Sequence, residues 1–168
     1  MGRSTARRWG RAGLVAAVVI ALDQALKALV RGSVEVGERR DLLAFLDLVH
    51  VRNRGVAFSA LEDQTTLVVV VIAVAMVALL WYFARHAHRP LMWLPTGMLV
   101  GGAVGNLVDR IRLGAVTDFL KLPNWPAFNV ADMAITVGVV GLLVVVERNE
   151  RADRRAQEAR GDAAARGT

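Results

Sequence analysis

Asp118 and Asp132 are the residues of this chain whose type and setting could do chemistry. They lie within residues 101–138, GGAVGNLVDRIRLGAVTDFLKLPNWPAFNVADMAITVG, where a polar connection joins two apolar runs. Ionisable groups at membrane depth are costly and mark functional sites by default. Pro123, Asn124, Trp125 and Pro126 break the chain between the two aspartates, so their carboxylates can fold back toward each other. Two carboxylates held close cannot both ionise easily, and one keeps a proton. The ionised member can take a proton from water while the protonated one polarises a peptide carbonyl. That is general acid–base peptide hydrolysis, with water as nucleophile and no covalent intermediate. The protonation constants then belong to the pair.

The neighbours suit such a site. Asn106 and Asp109 are three apart at the end of one apolar run, and Asn129 and Asp132 repeat that spacing on the next. Residues three apart on a helix share a face. Amides can donate to a carboxylate or hold a substrate carbonyl without adding charge. Asp109-Arg110 reads more readily as a structural ion pair than as a catalytic element. Asp23 and Lys27, four apart, read as a neutralising pair that orders the outer end of the first apolar run. Glycines at 101, 102 and 105 allow close helix contact in a membrane.

The elements that must hold these groups follow from composition. The chain has 168 residues, 55% hydrophobic, with mean hydropathy +0.41. It is too apolar for an ordinary soluble domain and short enough for one domain. It has no cysteine, which excludes disulfides, thiolate metal sites and cysteine nucleophiles. His50, His86 and His88 lack zinc-ligand spacing backed by an acid, so no metal site is expected.

Four runs, at about 12–30, 67–83, 91–108 and 127–146, have roughly the length needed to cross ~30 Å of hydrocarbon. A cleaved signal peptide is the rival reading of the first. Asp23, Gln24 and Lys27 inside it argue for a retained helix. Between the first two runs, 34–36 and 48–52 carry β-branched residues and read as short strands of a small sheet on the membrane surface. Residues 1–150 form the membrane domain, and 151–168 read as a polar cytoplasmic tail, partly helical or disordered. Arginine and lysine number twelve on the side holding both termini and eight on the other, which puts both termini in the cytoplasm. The two aspartates then face outward. On pattern alone, an intramembrane hydrolase and a small proton-coupled carrier both stand. A scaffold gripping anionic lipid with its basic tail leaves the inward-facing acids unexplained.

The motifs decide between them. They are Asp23-Gln24 with Lys27; Asn53-Arg54-Gly55-Val56-Ala57-Phe58-Ser59; Gly105-Asn106-Leu107-Val108-Asp109-Arg110 running through Gly114 and Val116 to Asp118-Phe119; and Phe128-Asn129-Val130-Ala131-Asp132. In this order, at the ends of four apolar runs, they resemble the bacterial lipoprotein signal peptidases, the type II aspartic signal peptidases. The resemblance implies an all-α integral membrane protein of four transmembrane helices with a small periplasmic β-sheet cradle, in the cell inner membrane. It implies Asp118 and Asp132 as the catalytic pair, with Asn53, Gly55, Asn106, Asp109, Arg110 and Asn129 supporting substrate and pair. It implies a diacylglyceryl-modified prolipoprotein as substrate, cut on the amino side of the lipidated cysteine. It further implies globomycin-type cyclic peptides as inhibitors, membrane lipid as surroundings, and no cofactor, metal or nucleic acid. A monomer is the default. Phe58, Trp125 and Phe128 are candidates to line the substrate groove. The sequence departs from the family pattern at Met133, where a small polar residue is frequent, and at Ala25-Leu26 before Lys27.

Overall fold

The computed structural model describes residues 3–54 and 65–166. Gly55 and Phe58 lie outside the described residues. The chain runs α1 (Arg3–Ser33), β1 (Arg39–Leu43), β2 (Leu46–Asn53), α2 (Thr65–His86), α3 (Trp93–Leu113), β3 (Val116–Lys121) and α4 (Val130–Arg166).

Three of the helices, α1, α2 and α4, are long and apolar enough to cross a membrane. The valine-rich run of α2 would favour a strand in water. In hydrocarbon a helix satisfies every backbone group within the segment. Val70, Val71, Val74 and Val77 of α2 are exposed, as suits a lipid-facing surface. The third expected run is helical, but with its glycines and polar last turns α3 is not among the helices long and apolar enough to cross a membrane. α3 packs against both α1 and α4, and less against α2. A Cβ on Gly102 would lie 2.5 Å from the Ala131 carbonyl oxygen, and one on Gly105 would lie 2.7 Å from Asp23 Oδ2. Only glycine lets α3 approach so near.

The sheet is antiparallel with order β1-β2-β3. It departs from expectation in two ways. Residues 34–36 form a turn instead of a strand, because Val34 N–H still bonds back to Val30 at the end of α1 and Gly37 takes a positive φ of 88°. The third strand comes from 116–121, within the polar connection between the last two apolar runs. Gly114, at φ 69°, caps α3 and releases the chain into that strand. Val30, Val34 and Phe119 form a small core that seats the sheet on the end of α1. A second core of Ala12, Phe83, Ala87 and Met92 closes the other end of the bundle.

Of the two readings of the tail, α4 takes the helical one, continuing through it to Arg166. Arginine, alanine and glutamate are good helix formers. Arg151–Glu147 at 2.6 Å and Arg154–Glu150 at 3.4 Å add i,i+4 pairs.

Candidate active site

The site begins with how α4 starts. Phe128 bridges Leu120 of β3, its N–H donating to Leu120 O at 2.9 Å and its carbonyl accepting from Leu120 N–H at 2.9 Å. The intervening turn places Asn124 at φ 58°, a conformation asparagine tolerates. Lys121 Nζ donates to the Trp125 carbonyl within it. The chain thereby reverses, and Asn129 arrives beside Asp118.

Asn129 caps α4. Its Oδ1 accepts the N–H of Asp132 at 3.0 Å, and Asp132 Oδ2 accepts the N–H of Asn129 at 3.2 Å. This is a reciprocal capping box with aspartate in the third helical position. The 129/132 spacing thus has a local cause, and it points Asp132 into the helix's first turn, where negative charge is favoured. The Asn129 side chain does a second thing: Nδ2 donates to Asp118 Oδ1 at 2.7 Å. One buried residue therefore holds both carboxylates.

Asp118 sits on β3 opposite Val51, and Asn53 sits opposite Val116. Strand alternation puts Asn53 and Asp118 on one face. Asn53 Nδ2 donates to Asp118 Oδ2 at 2.9 Å. Burial pushes the Asp118 carboxyl up to about 6, the Asn53 amide opposes this, the nearby Asp132 charge adds to it, and the Asn129 amide again opposes. The carboxyl therefore keeps its proton well above the ordinary range.

Behind Asp132 lies a buried charge network. Asn106 Nδ2 donates to Asp132 Oδ1 at 2.7 Å. Asn106 Oδ1 accepts from Lys27 Nζ at 2.9 Å and from Asn129 Nδ2 at 3.1 Å. Those two donors fix which way the Asn106 amide points. Lys27 is fully buried and pairs with Asp23 Oδ2 at 2.8 Å and Asp109 Oδ2 at 3.5 Å. Arg31 Nη1 lies 3.7 Å from Asp109 Oδ1. Two acids thus meet two bases, as buried charges require. Asp23 Oδ1 also accepts the Ala131 N–H at 2.9 Å, tying α1 to the first turn of α4. Asp109 Oδ2 accepts the Thr117 N–H at 2.9 Å, tying α3 to β3.

The expected Asp109–Arg110 ion pair does not form. Asp109 turns inward to Lys27 and Arg31, and Arg110 donates to the Asn106 carbonyl at 3.4 Å. Adjacent helical residues project in directions about 100° apart, so the two cannot share a partner easily. Arg31 and Thr117 join the site without a motif to mark them. The signal for Arg31 was its spacing of four from Lys27 on one helix face. Thr117 contributes through its backbone N–H and carried no signal.

Beside Asp132 lies an apolar cavity of about 280 Å³, lined by Leu122, Trp125, Phe128, Met133, Thr136 and Val137. A hydrophobic segment laid there would have its backbone next to the carboxylates.

The model of the family described as signal peptidase (SPase) II matches residues 15–147. The chain belongs to the signal peptidase II family. The family comprises lipoprotein signal peptidases, aspartic peptidases that cleave signal peptides from prolipoproteins. Among its relatives, the lipoprotein signal peptidase of Solibacter usitatus is 43% identical over 157 residues, covering 86% of this chain and 94% of that protein. That of Moorella thermoacetica is 42% identical over 129 residues, covering 76% and 86% respectively. A solved structure described as a bacterial membrane enzyme superposes with a TM-score of 0.78 at 27% identity, covering 84% of this chain and 90% of that one.

Proposed function

We propose that Asp118 and Asp132 are the catalytic pair of this signal peptidase. The observation that carries the reading is the double hold of Asn129 on both carboxylates. Asp118, kept protonated by burial, donates to the scissile carbonyl oxygen. Asp132, at the helix N-terminus, takes a proton from the water that attacks the carbonyl carbon. The tetrahedral intermediate collapses as Asp132 returns that proton to the leaving amine, and Asp118 recovers its own from the new acid's oxygen. Asn53, Asn106 and Asn129 position the pair. Asp109, Asp23 and Lys27 hold the helices that carry it. Arg110 and Gly55 are assigned to substrate support by family resemblance.

The substrate is a prolipoprotein whose cysteine carries diacylglycerol, cut on the amino side of that cysteine. The lipid anchor would hold the scissile bond near headgroup depth. The apolar cavity beside Asp132 suits the hydrophobic residues before the cut or the acyl chains after it. α3, packed between α1 and α4, is the fourth span. Both termini face the cytoplasm and the site opens outward from the inner membrane, in line with the arginine and lysine distribution. Globomycin-type peptides would compete at the same cavity, and the chain acts as a monomer. A proton path across the bundle is disfavoured by the apolar core of Ala12, Phe83 and Met92 at the opposite end.

The test compares purified protein on one precursor with and without its diacylglyceryl group, with the new N-terminus read by mass spectrometry. The expected result is rapid release of a fragment beginning at the lipidated cysteine and slow cleavage without lipid. Equal rates, or a cut elsewhere, would overturn the substrate assignment.

A further inference from the structure

A polar cavity lies away from the aspartates. It measures about 720 Å³ and lies on the sheet's other face, where α1 ends. Its lining includes Arg31, Arg40 and Arg52 against Glu35 and Glu38, a net charge of plus one. Strand alternation separates it from the catalytic face: His50 and Arg52 point one way, Val51 and Asn53 the other.

Two features mark it as a built site. Glu38 is already spent: Oε1 accepts from Arg40 Nε at 2.6 Å and Oε2 from the Glu35 N–H at 2.8 Å. Arg40 Nη2 donates to the Ser33 carbonyl at 2.8 Å, which fixes the guanidinium. Arg31 Nη1 is held by Thr117 Oγ1 at 3.2 Å. Each guanidinium has five N–H donors, so Arg31 and Arg40 retain others, and Arg52 is in no ion pair among the described residues. The second feature is His50, which is 4% exposed. Its Nδ1 lies 2.8 Å from the Val34 carbonyl, so Nδ1 carries hydrogen. Its Nε2 is buried and has no hydrogen-bond partner. Leaving such a group unmade is costly.

Fixed guanidiniums call for a phosphate, and a bare imidazole acceptor calls for a hydroxyl. We propose that this cavity binds a hydroxyl-bearing phosphate ester, presented as the headgroup of an anionic glycerophospholipid. The end of α1 is where such headgroups lie, given the proposed topology. The site would seat the sheet on the membrane surface from the face opposite the aspartates.

The test titrates full-length protein in neutral detergent, followed by phosphorus NMR. The probes are dihexanoyl phosphatidylglycerol, dihexanoyl phosphatidylcholine and glycerol phosphate. Saturable binding of the phosphatidylglycerol, and none of the phosphatidylcholine, is expected. Arg52→Gln, an exposed position, should weaken it roughly tenfold, the scale of one charge-assisted hydrogen bond. His50→Gln should weaken it too, and Glu35→Gln should tighten it. Glycerol phosphate binding as tightly as the lipid, with the same dependence on Arg52, would support the site with a free ester as occupant. Asp118→Asn should bind normally, which separates this site from the catalytic reading. No saturable binding of either ester, or binding indifferent to Arg52→Gln, would overturn the proposal.

Discussion

Asn129 donates its side-chain amide to Asp118 at 2.7 Å while exchanging two backbone-to-side-chain bonds with Asp132. The cap that starts α4 and the link that joins the two acids are therefore one residue. Asn129→Ser separates the roles, because serine caps a helix well but is too short to reach Asp118. Stability should change by less than about 1 kcal/mol, and cleavage should fall roughly a hundredfold, the scale of one lost positioned donor. Thermal unfolding beside a cleavage assay reads both. Unchanged cleavage would leave the link without a role.

Lys27→Met removes a buried cation that faces both Asp23 and Asp109. Breaking a buried pair from one side costs about 3–5 kcal/mol, because a charge is left uncompensated. The variant should show a large loss of thermal stability in detergent. Adding Asp23→Asn should recover part of it. A variant as stable as the parent would mean the network is not what locks α1 to α3 and α4.

Asp118 titrates at about 6, raised from 3.8 mainly by burial. Its folded pKa exceeds its unfolded one, so the folded state binds the extra proton across that interval. This contribution to stability is present below about pH 4 and lost as pH rises to about 6. Activity that needs the shared proton should fall on the alkaline side. Asn53→Ala removes a donor that favours the ionised form. The alkaline limb of the rate profile should then move to higher pH. Movement to lower pH would contradict the assigned polarity.

Gly102→Ala would place a methyl 2.5 Å from the Ala131 carbonyl oxygen, with Ile135 Cγ1 at 2.8 Å. α3 and α4 must separate, at a cost of about 1–3 kcal/mol. Because Asp132 stands one residue after Ala131 and bonds Asn106 across that contact, cleavage should fall with stability. Gly13→Ala, which meets nothing within 4 Å, is the control and should change neither.

Much of this was legible in the sequence because its signals are local. Apolar runs gave α1, α2 and α4, and the breaks around Pro123 and Pro126 gave the reversal before Asn129. The 129/132 spacing pointed to a shared face, and its cause was the capping box. The pairing of Asp109 was not legible. Its partners Lys27 and Arg31 lie on α1, and nothing in the order of residues says that α1 packs against α3 there. The strand at 116–121 was hidden for a similar reason: a short edge segment takes its conformation from β2. The continuation of α4 to Arg166 follows from helix propensity, which outweighed polarity.

The account rests on two carboxylates acting as one unit. The most direct test is a gel-shift cleavage assay on lipidated precursor with purified Asp118→Asn and Asp132→Asn, each first shown by thermal unfolding to be folded. Each variant should lose at least about a hundredfold in rate, within the range for general acid–base groups, and the double variant should lose little more. Near-normal cleavage by either folded single variant would contradict the account.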